Sequence, residues 1–212
     1  MNKMWLILLE GFKVNCQLFV ITLLLALPLG LIITFFTMTK FKPVKWLMKS
    51  FVWIIRGTPL MLQLFVFVYA PGFLFDMVWE DRWTPVVLAF VINYAAYFSE
   101  IYRAGIESIS VGQYEAGQVL GLSKIQVFFR VVLFQVIKRI TPPMGNEVIT
   151  LVKDTSLARV VSVVEIMREA ERRAASGIIW PLFATGLYFL IFNGILTLIL
   201  GYIEKKMNYY KG

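Results

Sequence analysis

The sequence contains no histidine and only one cysteine, Cys16. A zinc site needs several nitrogen or sulfur ligands, so that metal chemistry is excluded. The same lack removes Ser-His-Asp and Cys-His catalytic pairs. Cys16 stands at the start of an apolar run and reads as a small buried hydrophobe. No G-x-x-x-x-G-K-S/T stretch occurs, so the chain has no P-loop and must draw energy from another subunit or from an ion gradient. A cleavable signal pattern is also missing, because charges near the N-terminus are sparse and the apolar stretch after Lys13 is too long for a signal peptide. There is no internal repeat and no low-complexity segment.

What the chain does have is apolar surface. Of its 212 residues 59% are hydrophobic, with 18 Phe, 6 Trp and a mean hydropathy of +0.74. Soluble domains sit near about 45–50%. The composition therefore predicts an all-α integral membrane protein forming one domain over 1–212. The net charge is +8. In a soluble chain that would suggest nucleic acid. Here the basic residues flank apolar runs, so membrane orientation explains them and no nucleic-acid partner is expected.

Residues 1–13 read as a short amphipathic interfacial helix. Five spans follow, at about 14–39, 51–75, 83–107, 142–166 and 174–203. Pro28 and Gly30 lie inside the first span, and membrane helices tolerate such residues. The fourth span is unusually polar, and residues 165–176 form a charged helical segment. One set of alternate loops carries Lys40, Lys42, Lys45, Lys49, Lys124, Arg130, Lys138, Arg139, Lys205, Lys206 and Lys211. The other set mixes its basic residues with Glu10, Asp76, Glu80, Asp81, Glu165, Glu169 and Glu171. The positive-inside rule then places the 108–140 loop and the C-terminus in the cytoplasm, with the N-terminus outside.

That loop has a readable shape. Tyr114 to Leu120 can form about two helical turns. Gly121 can stop them in a left-handed conformation. Ser123 can cap a new helix, and Gln126 completes a Ser-x-x-Gln capping box. Ile125, Phe128, Phe129, Val132 and Leu133 give the new helix an apolar stripe. The 108–140 segment is longer than a mere connector requires, although a packed helical hairpin would read the same way.

Two polar faces run through the apolar spans. Asn93, Tyr97, Glu100 and Glu107 recur at offsets of 0, 4, 7 and 14 on the third span. Arg103 can pair with Glu100 or Glu107. On the fourth span Asn146, Thr150, Lys153 and Asp154 share a face, followed by Thr155 and Ser156. Ionisable groups at such depth cost ~2.5–3.5 kcal/mol or more, so they face a cavity or a partner. A zwitterionic ligand needs an anion for its ammonium and donors for its carboxylate. Asp154 or Glu100 suits the first; Thr155 and Ser156 suit the second. Interhelical polar glue, with Lys153 pairing to Glu100 or Asp154, is the competing reading. Arg56-Gly57-Thr58-Pro59 reads as a kink.

Four motifs carry a family resemblance. Glu115-Ala116-Gly117-x-x-x-Gly121, followed by Ile125 and Leu133, resembles the "EAA" loop of ABC importer permeases. Arg56-Gly57-Thr58-Pro59-Leu60, Glu100-Ile101-Tyr102-Arg103-Ala104-Gly105-Ile106 and the stretch from Asn146 to Leu157 resemble the polar amino-acid branch, importers of histidine, arginine, glutamine, cystine and their relatives. The resemblance runs from about Leu6 to Lys206. Two departures are visible. Gly117 stands where a second alanine is usual, and Leu133-Phe134-Gln135 replaces Leu-Pro-Gln.

The resemblance implies a type I ABC importer permease fold and no catalysis in this chain. It implies a coupling helix at Gly112, Gln113, Tyr114, Glu115, Ala116, Gly117, Leu120 and Gly121, docked on a separate ATPase that binds ATP and Mg. It implies a second permease subunit, identical or a close paralogue, and an extracytoplasmic amino-acid-binding protein. The substrate pathway is expected at Glu100, Lys153, Asp154, Thr155, Ser156, Asn93 and Thr58, in a prokaryotic inner membrane. An ion-gradient-driven carrier or channel is the alternative. It would use Glu100, Lys153 and Asp154 as a relay, and the absence of an ATPase partner would mark it.

Overall fold

The computed structural model describes residues 2–207; Met1 and residues 208–212, including Lys211 of the basic tail, lie outside them. Among the described residues the secondary structure is helical, without strands.

The first helix, α1 (Asn2–Met38), runs without a break. Residues 2–13 are therefore continuous with the span that follows, rather than forming a separate interfacial helix. The reason is tertiary. Leu8 and Gly11 are buried, and a Cβ on Gly11 would lie 2.8 Å from the backbone of Ile166. Against α1 packs α4 (Trp83–Glu107), whose bounds match the expected third span. Gly30 permits that crossing, since a Cβ there would come within 3.0 Å of the Ala95 carbonyl and of the Phe98 side chain. The Thr34 hydroxyl fixes the register through the Gly30 and Ser99 carbonyls, at 2.8 and 3.0 Å. Leu18, Ala26, Ile33, Phe90, Tyr94, Ala95 and Phe98 fill the core between the two helices.

The expected second span is broken. Helix α2 (Lys42–Gly57) turns through 108° into α3 (Leu60–Phe75). Pro59 lacks an N–H and drives the preceding residue to extended backbone, and Thr58 indeed has φ −118° and ψ 144°. The break would leave carbonyls without partners. The Gln63 amide donates to the Ile55 carbonyl (2.8 Å), the Thr58 hydroxyl (2.9 Å) and the Thr58 carbonyl (3.1 Å). Gln63 is itself held by Asn93, whose amide donates to it at 3.0 Å. Replacing Gln63 with Leu keeps the volume and removes every one of these bonds. Thermal unfolding of the purified protein should then show a loss of about 1–3 kcal/mol. An unchanged melting curve would mean that the bend holds itself.

After α4 come α5 (Val111–Val119), the short α6 (Lys124–Val127), a π turn (Phe128–Val132) and α7 (Leu133–Asp154). The expected fourth span is divided. The α-helix ends at Asp154, a 3-10 segment runs Thr155–Val161, and Ser162 takes a left-handed φ of 73°. The charged segment forms α8 (Ile166–Ala174), and α9 (Trp180–Met207) closes the chain. Among the described residues three helices, α1, α4 and α9, are long and apolar enough to cross a membrane, and the bent pair of α2 and α3 makes a fourth if it counts as one span. Helix α7, with Lys138, Arg139, Glu147 and Lys153, is too polar to meet that measure, so a count of five is not reached by length and composition. Phe12 and Phe19 of α1 meet Phe192 of α9 edge-on, at 5.7 and 5.6 Å.

Candidate coupling elbow and polar pathway

The segment after α4 folds into an elbow. Helix α5 ends in a Schellman motif: Leu122 N–H donates to the Gly117 carbonyl (3.0 Å) and Gly121 N–H to the Gln118 carbonyl (2.9 Å). Gly121 has φ +73°, the left-handed conformation that this motif requires. Ser123 then caps α6. Gln126 N–H donates to its hydroxyl at 3.3 Å, and Ser123 N–H donates to the Gln126 side chain at 2.8 Å. Both halves of the capping box are thus formed.

The two arms of the elbow touch at one place. Gly117 is buried, and a Cβ there would lie 2.3 Å from Val127 Cγ2. The glycine lets α5 lie directly on α6. Tyr114 packs against the cluster of Ile109, Val127, Val132 and Val136, and the Gln135 amide donates to the Gln113 side chain at 3.2 Å. These contacts hold the inner side of the elbow. Its outer side carries Gly112, Glu115, Ala116, Val119, Leu120 and Ile125, all exposed. Val119, Leu120 and Ile125 are 88%, 77% and 71% exposed, an apolar tip on an otherwise anchored element.

The polar residues of the spans divide into three groups. Glu100 lies between two guanidinium groups. Arg103 binds it and also Glu107, while Arg56 approaches to 3.9 Å and stacks over the Tyr97 ring at 5.2 Å. Asp154 forms the second group. The Tyr94 hydroxyl donates to its carboxylate at 2.7 Å, with Lys153 exposed beside it. Ser156 donates to the Lys153 carbonyl at 2.8 Å. The third group is occupied elsewhere. Asn93 and Thr58 serve the Gln63 brace. Thr155 is buried, donating to the Val152 carbonyl (2.7 Å) and accepting from Asn15 (3.0 Å). In this conformation Asn93 and Thr155 have no face open to a ligand.

Asn15, Thr155 and Glu165 form a network that sequence reasoning missed. The Asn15 amide donates to Thr155 and to Glu165, each at 3.0 Å, and its oxygen accepts from Ile166 N–H at 3.2 Å. Glu165 also accepts from the N–H groups of Met167 and Arg168, capping α8. Tyr94 and Gln63 were missed as well. The available signals were an asparagine inside the apolar stretch of α1, a lone glutamine in an apolar run and a tyrosine beside Asn93.

Comparisons with known proteins bear on the family and the fold. The family described as binding-protein-dependent transport system inner membrane component matches residues 26–209. The L-cystine transport system permease protein TcyB of Bacillus subtilis is 35% identical, over 99% of this chain and 90% of its own length. The arginine transport system permease protein ArtQ of the same organism is 33% identical, over 94% and 92%. A solved amino acid ABC transporter with histidines superposes with a TM-score of 0.88 at 28% identity, over 97% of this chain and 96% of the other. The MetNI methionine ABC transporter shares the fold at 14% identity, with a TM-score of 0.74. With an all-helical fold and a family match over most of its length, the chain belongs to the binding-protein-dependent transport system inner membrane component family, the ABC transporter permeases whose ATPase activity lies in a separate subunit.

Proposed function

We propose that this chain is the transmembrane subunit of an ATP-driven importer of polar or charged L-amino acids in a prokaryotic inner membrane. Its N-terminus lies outside and its C-terminus in the cytoplasm. It pairs with a second permease, identical or a close paralogue, and an extracytoplasmic binding protein delivers the substrate. Each permease docks one ATPase, which holds ATP and Mg. Closure of the ATPase dimer moves the elbow, and the cavity switches between inward- and outward-facing forms. The similarity to TcyB, an L-cystine transport system permease, and to ArtQ, an arginine transport system permease, supports the substrate class.

The observation that carries the coupling role is the elbow itself. Its inner side is pinned by Gly117, Tyr114 and Gln113, while Val119, Leu120 and Glu115 face outward. An element fixed on one side and apolar on the other can pass a push into α7. Glu115→Lys reverses the exposed charge. Gly121→Val forces a β-branched residue into φ +73°, costing about 1–2 kcal/mol or more. Each should lower uptake per ATP hydrolysed in proteoliposomes. If coupled transport survives both changes, the docking assignment is wrong.

A further inference from the structure

Helix α2 is set off sharply from the helix that follows it. It turns 108° into α3. Its two ends are tied to different helices. The chain leaves α1 at Met38 and enters α2 at Lys42. At the other end Arg56 reaches Tyr97 and Glu100. Between those two on α4, the Ser99 carbonyl accepts from Thr34 of α1. Thr34 is only ~6 Å of helical rise from Met38. A helix of 16 residues is ~24 Å long. Helix α2 is thus tied to α1 at one end and to α4 at the other.

The faces of α2 are sorted. Val44, Met48, Phe51, Val52 and Ile55 are buried or half-buried against the bundle. Lys42, Lys45 and Lys49, at offsets of 0, 3 and 7, form one stripe. Beside it Trp46 and Trp53, seven apart, are 72% and 76% exposed. Leu47 and Ile54, again seven apart, are exposed next to them. Ammonium, indole, aliphatic is the order of layers met on entering a bilayer. The stripe has no counter-charge nearby in sequence, because no acidic residue occurs between Glu10 and Asp76. Glu100, across on α4, is paired with Arg103 and Arg56, and of the stripe only Lys49 lies within its electrostatic reach. A protein partner fits this face poorly, since interface cores are depleted of lysine.

We propose that α2 is an interfacial helix whose Lys42, Lys45 and Lys49 bind anionic phospholipid headgroups. Trp46 and Trp53 sit at the headgroup boundary, and Leu47 and Ile54 enter the acyl layer. Because Arg56 ends this helix on Glu100 and Tyr97, lipid charge also holds the bend against α4. The leaflet is the cytoplasmic one, which rests on the orientation proposed above.

The test uses the complete complex with its partner subunits. Native mass spectrometry in mixed phosphatidylglycerol and phosphatidylcholine should show retained phosphatidylglycerol on the wild type. The triple variant Lys42→Gln, Lys45→Gln, Lys49→Gln should lose that preference by about fivefold or more. In bilayers, lipid brominated near the headgroup should quench fluorescence that disappears in Trp46→Phe, Trp53→Phe. Equal phosphatidylglycerol retention by the triple variant overturns the proposal. So does quenching only by deeply brominated lipid. Loss of a partner subunit from the triple variant also overturns it, by assigning the stripe to a protein contact. Lys42→Cys in a Cys16→Ser background separates the two readings. Labelling by an impermeant maleimide from outside overturns the orientation; labelling from inside without a phosphatidylglycerol preference overturns the lipid site alone.

Discussion

Asp154→Ala should lower amino-acid uptake by about 30-fold or more while the ATPase still co-purifies. The carboxylate stands at the last residue of α7, where the helix tightens to 3-10, and Tyr94 fixes it by a 2.7 Å bond. On the proposed function this carboxylate receives the ammonium of the substrate. Removing one partner of a desolvated charge pair costs about 2–5 kcal/mol, which is where the expected loss comes from. The companion variants separate recognition from scaffolding. Asp154→Asn still accepts the Tyr94 hydroxyl but has no charge. If the ammonium is the ligand, Asn performs as badly as Ala. If Asp154 only ties α7 to α4, Asn performs like the wild type. Tyr94→Phe leaves the charge and loosens its position, so a loss of about two- to tenfold is expected, the worth of one hydrogen bond. Uptake into proteoliposomes and titration of substrate on the purified complex measure all three.

Gly117→Ala should stiffen α5 and yet impair coupling. Alanine gains about 1 kcal/mol of helix propensity over glycine. Its Cβ would meet Val127 at 2.3 Å, in a buried contact. Overpacking costs typically about 1–3 kcal/mol, so the clash outweighs the propensity. The two arms of the elbow must part, and ATP hydrolysis should continue with uptake reduced several-fold. Combining Gly117→Ala with Val127→Ala removes both methyl groups that the added Cβ would strike. Recovery of uptake in the double variant, against loss in Gly117→Ala, identifies the contact as the cause. Equal uptake in wild type and Gly117→Ala would show that the elbow does not need its arms in contact.

The glycine at 117 shows where sequence reading stops. On the sequence alone it is a softer residue at an alanine position; in the structure it is a contact surface for Val127. The elbow's other features were legible because they are local. The Ser123–Gln126 box spans three residues, and the left-handed Gly121 follows from a helix stopping before a cap. The bounds of α4 were legible for the same reason, being set by composition. The continuity of α1 was not, because Gly11 is held by Ile166 from the far end of the chain. Nor was the fate of Thr155, whose partner Asn15 lies 140 residues away. The sequence marked Pro59 as a kink, but its angle depends on Gln63 and Asn93, two amides that meet only after α3 packs on α4.

The π turn between the elbow and α7 has a consequence for chain length. Leu133 N–H reaches back to the Phe128 carbonyl, so Phe128–Val132 holds one residue more than an α turn would. That surplus is taken up within the turn, so every later side chain keeps the orientation it would have in an unbroken helix one residue shorter. The phase between the elbow and Asp154 is thus set at one spot. A residue gained or lost within α7 turns Asp154 away from Tyr94, whereas one lost inside the π turn is absorbed as an ordinary turn of helix. In this chain the π turn is thus a place where the length can change by one residue without misaligning the elbow and Asp154.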